Sequence, residues 1–358
     1  MTAGRSAPAL AVVGATGAVG SVLLRIVSQR ADVWGAIRLI ASPRSAGRRS
    51  AVRGEETEVL ALTEDAFDGL GKGDVAVFLT PEHVSARWAP VVTARGSTVV
   101  DASPAFRTDP GVPLVVPEIN PQAALLRPHG IVAGPDPVTL SMIVAVGALH
   151  SAYGLTDLQL STYQAASGAG RAGTEALRRQ LSLVTGAELG EQPGDVRRAV
   201  GADPGPFPAP LALNVVPWTG GPDQDGWSAE ELRIRAETRK VLGLDTLPVS
   251  VTCVRVPVIT GHSMTVRARF RDEISRAGAH EVLATAPGVV LVDDPAAGEF
   301  PTPADAAGTD PAWVGRVRRS LDDPRALEFF VCADNLRTGA ALNTAQIAEL
   351  LAAEQASG

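Results

Sequence analysis

The stretch Ala9-Leu10-Ala11-Val12-Val13-Gly14-Ala15-Thr16-Gly17-Ala18-Val19-Gly20 decides the fold of the first half of the chain. Ala9–Val13 is an apolar run of strand length, and Ala18–Arg30 behind it reads as a helix. The turn between them has the spacing G-x-x-G-x-x-G, a variant of the dinucleotide fingerprint. Gly14 permits the tight turn, Gly17 lets the backbone approach a pyrophosphate, and Gly20 lets the helix pack close on the strand. With Thr16, Ala18 and Val19 these residues form the candidate nucleotide loop. The N–H groups at the helix start offer partial positive charge to phosphates.

Working outward, Ile37–Ala41, Val75–Leu79 and Thr98–Asp101 read as further buried strands, with a helix over Val84–Arg95. Short apolar runs separated by helices predict an α/β, doubly wound, Rossmann-like parallel sheet. Near Ala41, where an NAD-selective protein carries an acidic residue, the sequence is Ser42-Pro43-Arg44-Ser45. Arg44 and Ser45 suit a 2′-phosphate and favour NADP over NAD; the bland alternative is a solvated basic loop.

Beyond Gly134 the pattern changes. Leu155–Tyr163, Leu211–Val216, Val249–Val258 and Met264–Phe270 read as longer, alternating strands. They predict a mostly antiparallel sheet with one face against helices, hence a second, α+β domain. The expected division is 1–134 for nucleotide binding and 135–334 for substrate and dimerisation. The Ala- and Leu-rich helix Thr338–Glu354 suggests that 335–358 returns to the first domain. Gly186–Pro210 and Asp293–Asp310 read as surface loops.

Composition excludes several function classes. With 358 residues, 45% apolar and 20% charged, the chain is long enough for about two well-buried domains. Two cysteines exclude a disulfide scaffold and fit a reducing cytosol, so a cytoplasmic location is expected. A net charge of −7, no basic stripe and 4% aromatics argue against nucleic acid as a partner. Leu140–Leu149 is too short to cross a bilayer, and the run after Arg5 is too short for a signal peptide. Among His83, His129, His150, His262 and His280, no Cys/His cluster has metal-ligand spacing, and no metal is expected.

Two motifs are highly specific: Ser-Thr-Tyr-Gln-Ala-Ala-Ser-Gly-Ala-Gly, Ser161–Gly170, and Cys-Val-Arg-Val-Pro-Val-Ile-Thr-Gly-His, ending at His262. With Gly14–Gly20, Ala41–Arg48, Asp101–Asp109, Pro113–Asn120, Glu230–Leu242 and Ala333–Leu350, the chain resembles the aspartate-β-semialdehyde dehydrogenase family over nearly its whole length. Enzymes of that family reduce aspartyl phosphate with NADPH through a cysteine thioester. The resemblance implies that His262 is the general acid/base and that Gln164 positions the substrate. It implies that Arg107 and Arg233 serve the phosphate site, that Arg255 pairs with the α-carboxylate, and that Glu230 helps hold the substrate amine or orders the site. Ser167, Gly168 and Asn335 would contact the nicotinamide side of NADP. Arg255 and His262 lie seven residues apart, which on one strand means opposite faces; the family implies a bend at Gly261. It also implies a small amino-acid-like carboxylate substrate and a homodimer or homotetramer.

The departures concern chemistry. The family's Asn-Pro-Asn-Cys-Ser-Thr corresponds to Gly134-Pro135-Asp136-Pro137-Val138-Thr139. The nucleophile position is Pro137, and a carboxylate at 136 would repel a developing oxyanion. Leu79–His83 and Asp101–Pro104 also depart from the family pattern. Cys253 and Cys332 read as buried strand residues, and the Thr139 and Ser141 hydroxyls would each need a base of their own. Two readings remain open. One is an NADP(H)-dependent oxidoreductase on a semialdehyde or related carbonyl that needs no thioester. The other is a catalytically silent paralogue that keeps the fold and the NADP and dimer surfaces.

Overall fold

The computed structural model describes residues 7–30 and 33–357. The stretch around Arg5 lies outside them. The chain divides into two compact units. The first runs to Asp136 and takes in Lys240–Gly243 and the segment from Gly339; the second is Pro137–Arg239 with Leu244–Thr338.

The first unit holds strands β1 (Leu10–Val13), β2 (Ile37–Ala41), β3 (Arg49–Val52), β4 (Glu55–Ala61), β5 (Val75–Phe78), β6 (Thr98–Asp101) and β7 (Ile131–Ala133) in one sheet, in the order β3-β4-β2-β1-β5-β6-β7. All pairs are parallel except the β3–β4 hairpin. Leu10–Val13 and Val75–Phe78 are buried throughout, as strands covered on both faces must be. The connections leave β1 in both directions, toward β2 and toward β5, so the crevice beyond its carboxyl end is the site-forming position of such sheets. The hairpin and β7 were not legible as strands. In the hairpin, charged side chains such as Arg49 and Glu58 face each other on an exposed edge, and the turn is Arg53-Gly54 with φ of 54° and 78°.

The C-terminal helix, Asn343–Ser357, belongs to this unit and is entered through a π-helical stretch, Arg337–Leu342. Asn343 Nδ2 donates to the Val115 carbonyl at 3.3 Å, and Gln346 Nε2 to Glu118 at 2.8 Å.

The second unit holds β8 (Leu155–Gln164), β9 (Val249–Arg255), β10 (His262–Phe270), β11 (Val289–Leu291), β12 (Ala312–Arg319) and β13 (Ala326–Ala333), in the order β11-β12-β13-β10-β8-β9. The pairs β8–β10, β10–β13 and β12–β13 are antiparallel, while β8–β9 and β11–β12 are parallel. The sheet is therefore mixed, with an antiparallel centre and a parallel pair on each flank. Helix Pro137–Tyr153 packs on it and is buried from Val138 to Gly147.

Leu211–Val216 is not a strand, contrary to the sequence reading. A buried side chain takes the N–H groups that a strand would use: Gln180 Oε1 accepts from Leu211 N at 2.7 Å and from Ala212 N at 3.0 Å. Leu213 sits at φ 55°, and only Val216 bridges to Arg255. Gly186–Pro210 is also more than a surface loop. It contains the short helix Asp195–Val200 and sends Val200 and Phe207 into a core with Leu177, Val184 and Leu211.

Asp293 begins the second Pro-rich stretch with its side chain 1% exposed. Burial pushes its carboxyl up, but hydrogen bonds from Arg276 and His280, the Arg276 charge and the Arg316 backbone N–H outweigh this and hold it below the usual range. A depressed folded value means stability that is present above about pH 4 and is lost as pH falls through the folded value. Asp293→Asn should lower stability at pH 7 by about 2 kcal/mol and should flatten the acid limb of a Tm-against-pH curve. A variant with an unchanged acid limb would show that Asp293 carries no part of it.

Candidate active site

In the first unit, Gly14 follows β1 with φ 92°, and a Cβ there would lie 2.3 Å from the Leu79 carbonyl oxygen. No other residue fits that turn. A Cβ on Gly20 would lie 2.3 Å from Gly14 O, so the helix and the turn are in close contact. Gly17 is the N-cap of helix Ala18–Ser28 and provides no side-chain hydrogen bond to it. The first-turn N–H groups of Ala18, Val19 and Gly20 thus have no side-chain cap, the arrangement that receives phosphate. Beyond β2, Pro43–Ser45 forms a 3-10 turn in which Thr16 Oγ1 lies 3.3 Å from Ser45 Oγ and Arg44 is exposed. These residues fit a dinucleotide: a capless helix start for its phosphates, and a cation and hydroxyls in place of a carboxylate beyond β2.

The same unit holds Arg107. Ser103 Oγ donates to Asp101 at 2.7 Å and accepts from Ala105 N at 3.2 Å, capping the turn Pro104–Phe106 that delivers Arg107. Burial raises the Asp101 carboxyl, and bonds from Ser103 and Ser85 only partly offset this. The Gly134 N–H donates to the Asp101 carbonyl at 2.8 Å, which aligns the segment leading to Asp136. Arg107 Nη1 then donates to Asp136 Oδ2 at 3.1 Å, and Nη2 to the Ala102 carbonyl at 2.7 Å. Sequence reasoning took Asp136 only as a repulsive charge and missed this pair. The signal was present in the opposite charges just past two neighbouring strands, β6 and β7.

In the second unit, neighbouring strand ends bring the key side chains together. Gln164 ends β8 opposite Arg255, which ends β9, and His262 begins β10. The segment between β9 and β10 turns through Gly261 at φ 100°, so Arg255 and His262 stand on separate strands. A Cβ built on Gly168 would lie 2.4 Å from Arg255 Nη1 and 3.2 Å from His262 Nε2. Arg255 Nη1 donates to the Ala165 carbonyl at 2.8 Å. The Ala165 N–H donates to His262 Nδ1 at 3.1 Å. A backbone N–H can only donate, so Nδ1 is the acceptor and the ring proton resides on Nε2. Ser167 Oγ and the Gly261 N–H both donate to Asn335 Oδ1 at 3.0 Å, fixing the loop around Gly168.

Gln164 Nε2 donates to Glu230 at 2.7 Å, which fixes the amide's orientation. Glu230 and Glu231 divide two tasks. Glu231 accepts from Ser228 N at 2.9 Å and its N–H returns to Ser228 Oγ at 3.3 Å, a capping box for helix Ala229–Leu242. Arg233, on the same helix, keeps its Nε buried without a hydrogen-bond partner among the described residues. Thr139 Oγ1 donates to the buried Glu237 carboxylate at 2.9 Å. Ser141 Oγ is turned back onto the Pro137 carbonyl at 2.7 Å. Cys253 and Cys332 are both fully buried, and burial pushes each thiol up to about 12.

Residues 9–126 match the family model described as semialdehyde dehydrogenase, NAD binding domain, and residues 146–338 match semialdehyde dehydrogenase, dimerisation domain. The chain is 45% identical over 346 residues to an aspartate-semialdehyde dehydrogenase of Corynebacterium melassecola, covering 96% of this chain and 98% of that protein. It belongs to the aspartate-semialdehyde dehydrogenase family. A Streptomyces akiyoshiensis aspartate-semialdehyde dehydrogenase is 43% identical over 350 residues, covering 96% and 98% of the two chains. The crystal structure of aspartate semialdehyde dehydrogenase II from Vibrio cholerae, complexed with ASA, superposes with a TM-score of 0.88 at 33% identity, covering 97% of this chain and 98% of that one. Within this family framework, Gly134–Thr139 joins the two units, and helix Pro137–Tyr153 starts at Pro137. No helix among the described residues is long and apolar enough to cross a membrane.

Proposed function

We propose that this family member is an NADP(H)-dependent oxidoreductase that acts on a small amino-acid-like semialdehyde or related carbonyl without a cysteine thioester. One observation carries the reading. The chain has two cysteines, both are buried with raised thiols, and Pro137 occupies the nucleophile position implied by the family resemblance. Acyl transfer from an acyl phosphate therefore lacks its sulfur, whereas hydride transfer to a free carbonyl needs none.

The nucleotide, when bound, supplies the hydride. Gly14, Gly17 and Gly20 with Thr16, Ala18 and Val19 would hold its pyrophosphate. Arg44 and Ser45 would meet the 2′-phosphate, and Ser167, Gly168 and Asn335 would lie on the nicotinamide side. Arg255 presents a planar guanidinium suited to a carboxylate. Gln164, held by Glu230, orients the substrate. The His262 Nε2–H would donate a hydrogen bond to the carbonyl oxygen as negative charge grows on it, and a neutral ring suits that electrophilic role. The proton that the reduced oxygen finally gains would come from solvent. Self-association into a dimer or tetramer belongs to the same proposal, supported by the dimerisation-domain match.

NADP should raise the melting temperature more than NAD does. A screen of amino-acid semialdehydes and related four-carbon carbonyls should then find NADPH consumption that falls at least about a hundredfold in His262→Ala. Turnover indifferent to that substitution removes His262 from its role. NADP binding with no turnover across the screen instead supports a silent relative, and absence of NADP binding overturns the oxidoreductase reading.

A further inference from the structure

We propose that the Asp136 carboxylate, paired with Arg107, is a built-in anion that closes the phosphate-recognition position, so that this site accepts unphosphorylated carbonyl compounds and excludes acyl phosphates and inorganic phosphate. The proposal rests on the function above and on the family resemblance, which implies that Arg107 occupies the position at which the family meets phosphate.

Arg107 is 3% exposed and Asp136 is 15% exposed. An arginine stays charged at any physiological pH, so its burial calls for a counter-charge. Asp136 supplies one at 3.1 Å, while the other guanidinium arm is spent on the Ala102 carbonyl at 2.7 Å. The backbone fixes both partners. The Ser103-capped turn delivers Arg107, and the Gly134–Asp101 hydrogen bond aligns the segment that carries Asp136. The neighbouring cation is also committed. Lys240 Nζ donates to the carbonyls of Arg107, Asp109 and Val112 at 2.9, 2.7 and 2.8 Å.

A phosphate entering here would compete with a tethered carboxylate that never dissociates from the chain. It would also place its own negative charge against that carboxylate. An uncharged carbonyl group meets neither obstacle. Asp136 is therefore a specificity-determining residue that acts through Arg107. The change at 136 is distinct from the change at 137: one removes anion recognition, the other removes the nucleophile.

The test follows inorganic phosphate binding by thermal shift, against chloride at matched ionic strength, with no turnover required. The native protein should show no Arg107-dependent, saturable response in the millimolar range. Asp136→Asn should gain one, tightened about tenfold or more, and Arg107→Met in that background should abolish it. Any response that survives Arg107→Met belongs elsewhere, such as the nucleotide loop. Should Asp136→Asn fold poorly, Asp136→Ser gives the same reading. Arg107-dependent phosphate binding by the native protein overturns the proposal, and so does a folded Asp136 variant that gains no affinity. Turnover and phosphate binding fail separately. An inert protein with the expected phosphate pattern sinks only the oxidoreductase reading, whereas an active NADPH-consuming protein that binds phosphate through Arg107 sinks only this one.

Discussion

Pro137→Cys combined with Asp136→Asn should produce NADP- and phosphate-dependent oxidation of aspartate semialdehyde, at roughly a hundredfold or more above the native background. The native protein has no accessible thiol: its two cysteines are buried, with thiols pushed up to about 12. A cysteine at 137 would begin helix Pro137–Tyr153, where the partial positive charge of the helix start favours a thiolate. Pro137→Cys alone should stay within a few-fold of background. Asp136 would still oppose a developing oxyanion and still occupy Arg107. Initial rates of NADPH formation with and without phosphate decide the matter. A native protein that already forms acyl phosphate at a useful rate, or a single variant as fast as the double one, would contradict the account.

The second large effect is expected at Gly168. Its missing Cβ is what lets Arg255 and His262 approach the same loop, since the added carbon would lie 2.4 Å from Arg255 Nη1 and 3.1 Å from His262 Cε1. Gly168→Ala must displace a guanidinium that is already hydrogen-bonded to the Ala165 carbonyl at 2.8 Å. Misplacing an orienting group by about an ångström costs on the order of a hundredfold in rate. Turnover of the carboxylate substrate should fall by that amount, with KM rising alongside kcat loss. Gly221→Ala has no neighbour within 4 Å and should leave both constants unchanged. A Gly168→Ala variant with native kinetics would mean that Arg255 does not read the substrate from this position.

The parallel half of the fold was legible because its strands are short, mostly apolar runs with a glycine close by. Ile37–Ala41 and Thr98–Asp101 coincide with observed strands. The β3–β4 hairpin escaped because edge strands carry charge on purpose, and Arg49, Glu55, Glu56 and Glu58 mask the strand period. Leu211–Val216 was misread for the opposite reason. It is largely apolar, yet its first two N–H groups are claimed by Gln180, 31 and 32 residues earlier, a partner that no local pattern announces. The motifs named the candidate site residues one by one. The couplings among them were not legible: neither the Arg107–Asp136 pair nor the Ala165–His262 bond that fixes the tautomer shows in spacing alone.

Proline is well suited to the place it holds at 137. The first position of a helix wants no hydrogen on its nitrogen, and the pyrrolidine ring is already set to the helical φ. Replacing it would give the unfolded chain more conformational freedom and cost about 0.4–1 kcal/mol of stability. Any variant that brings a reactive side chain to this position therefore starts from a small folding deficit, which the melting curve of Pro137→Cys would show.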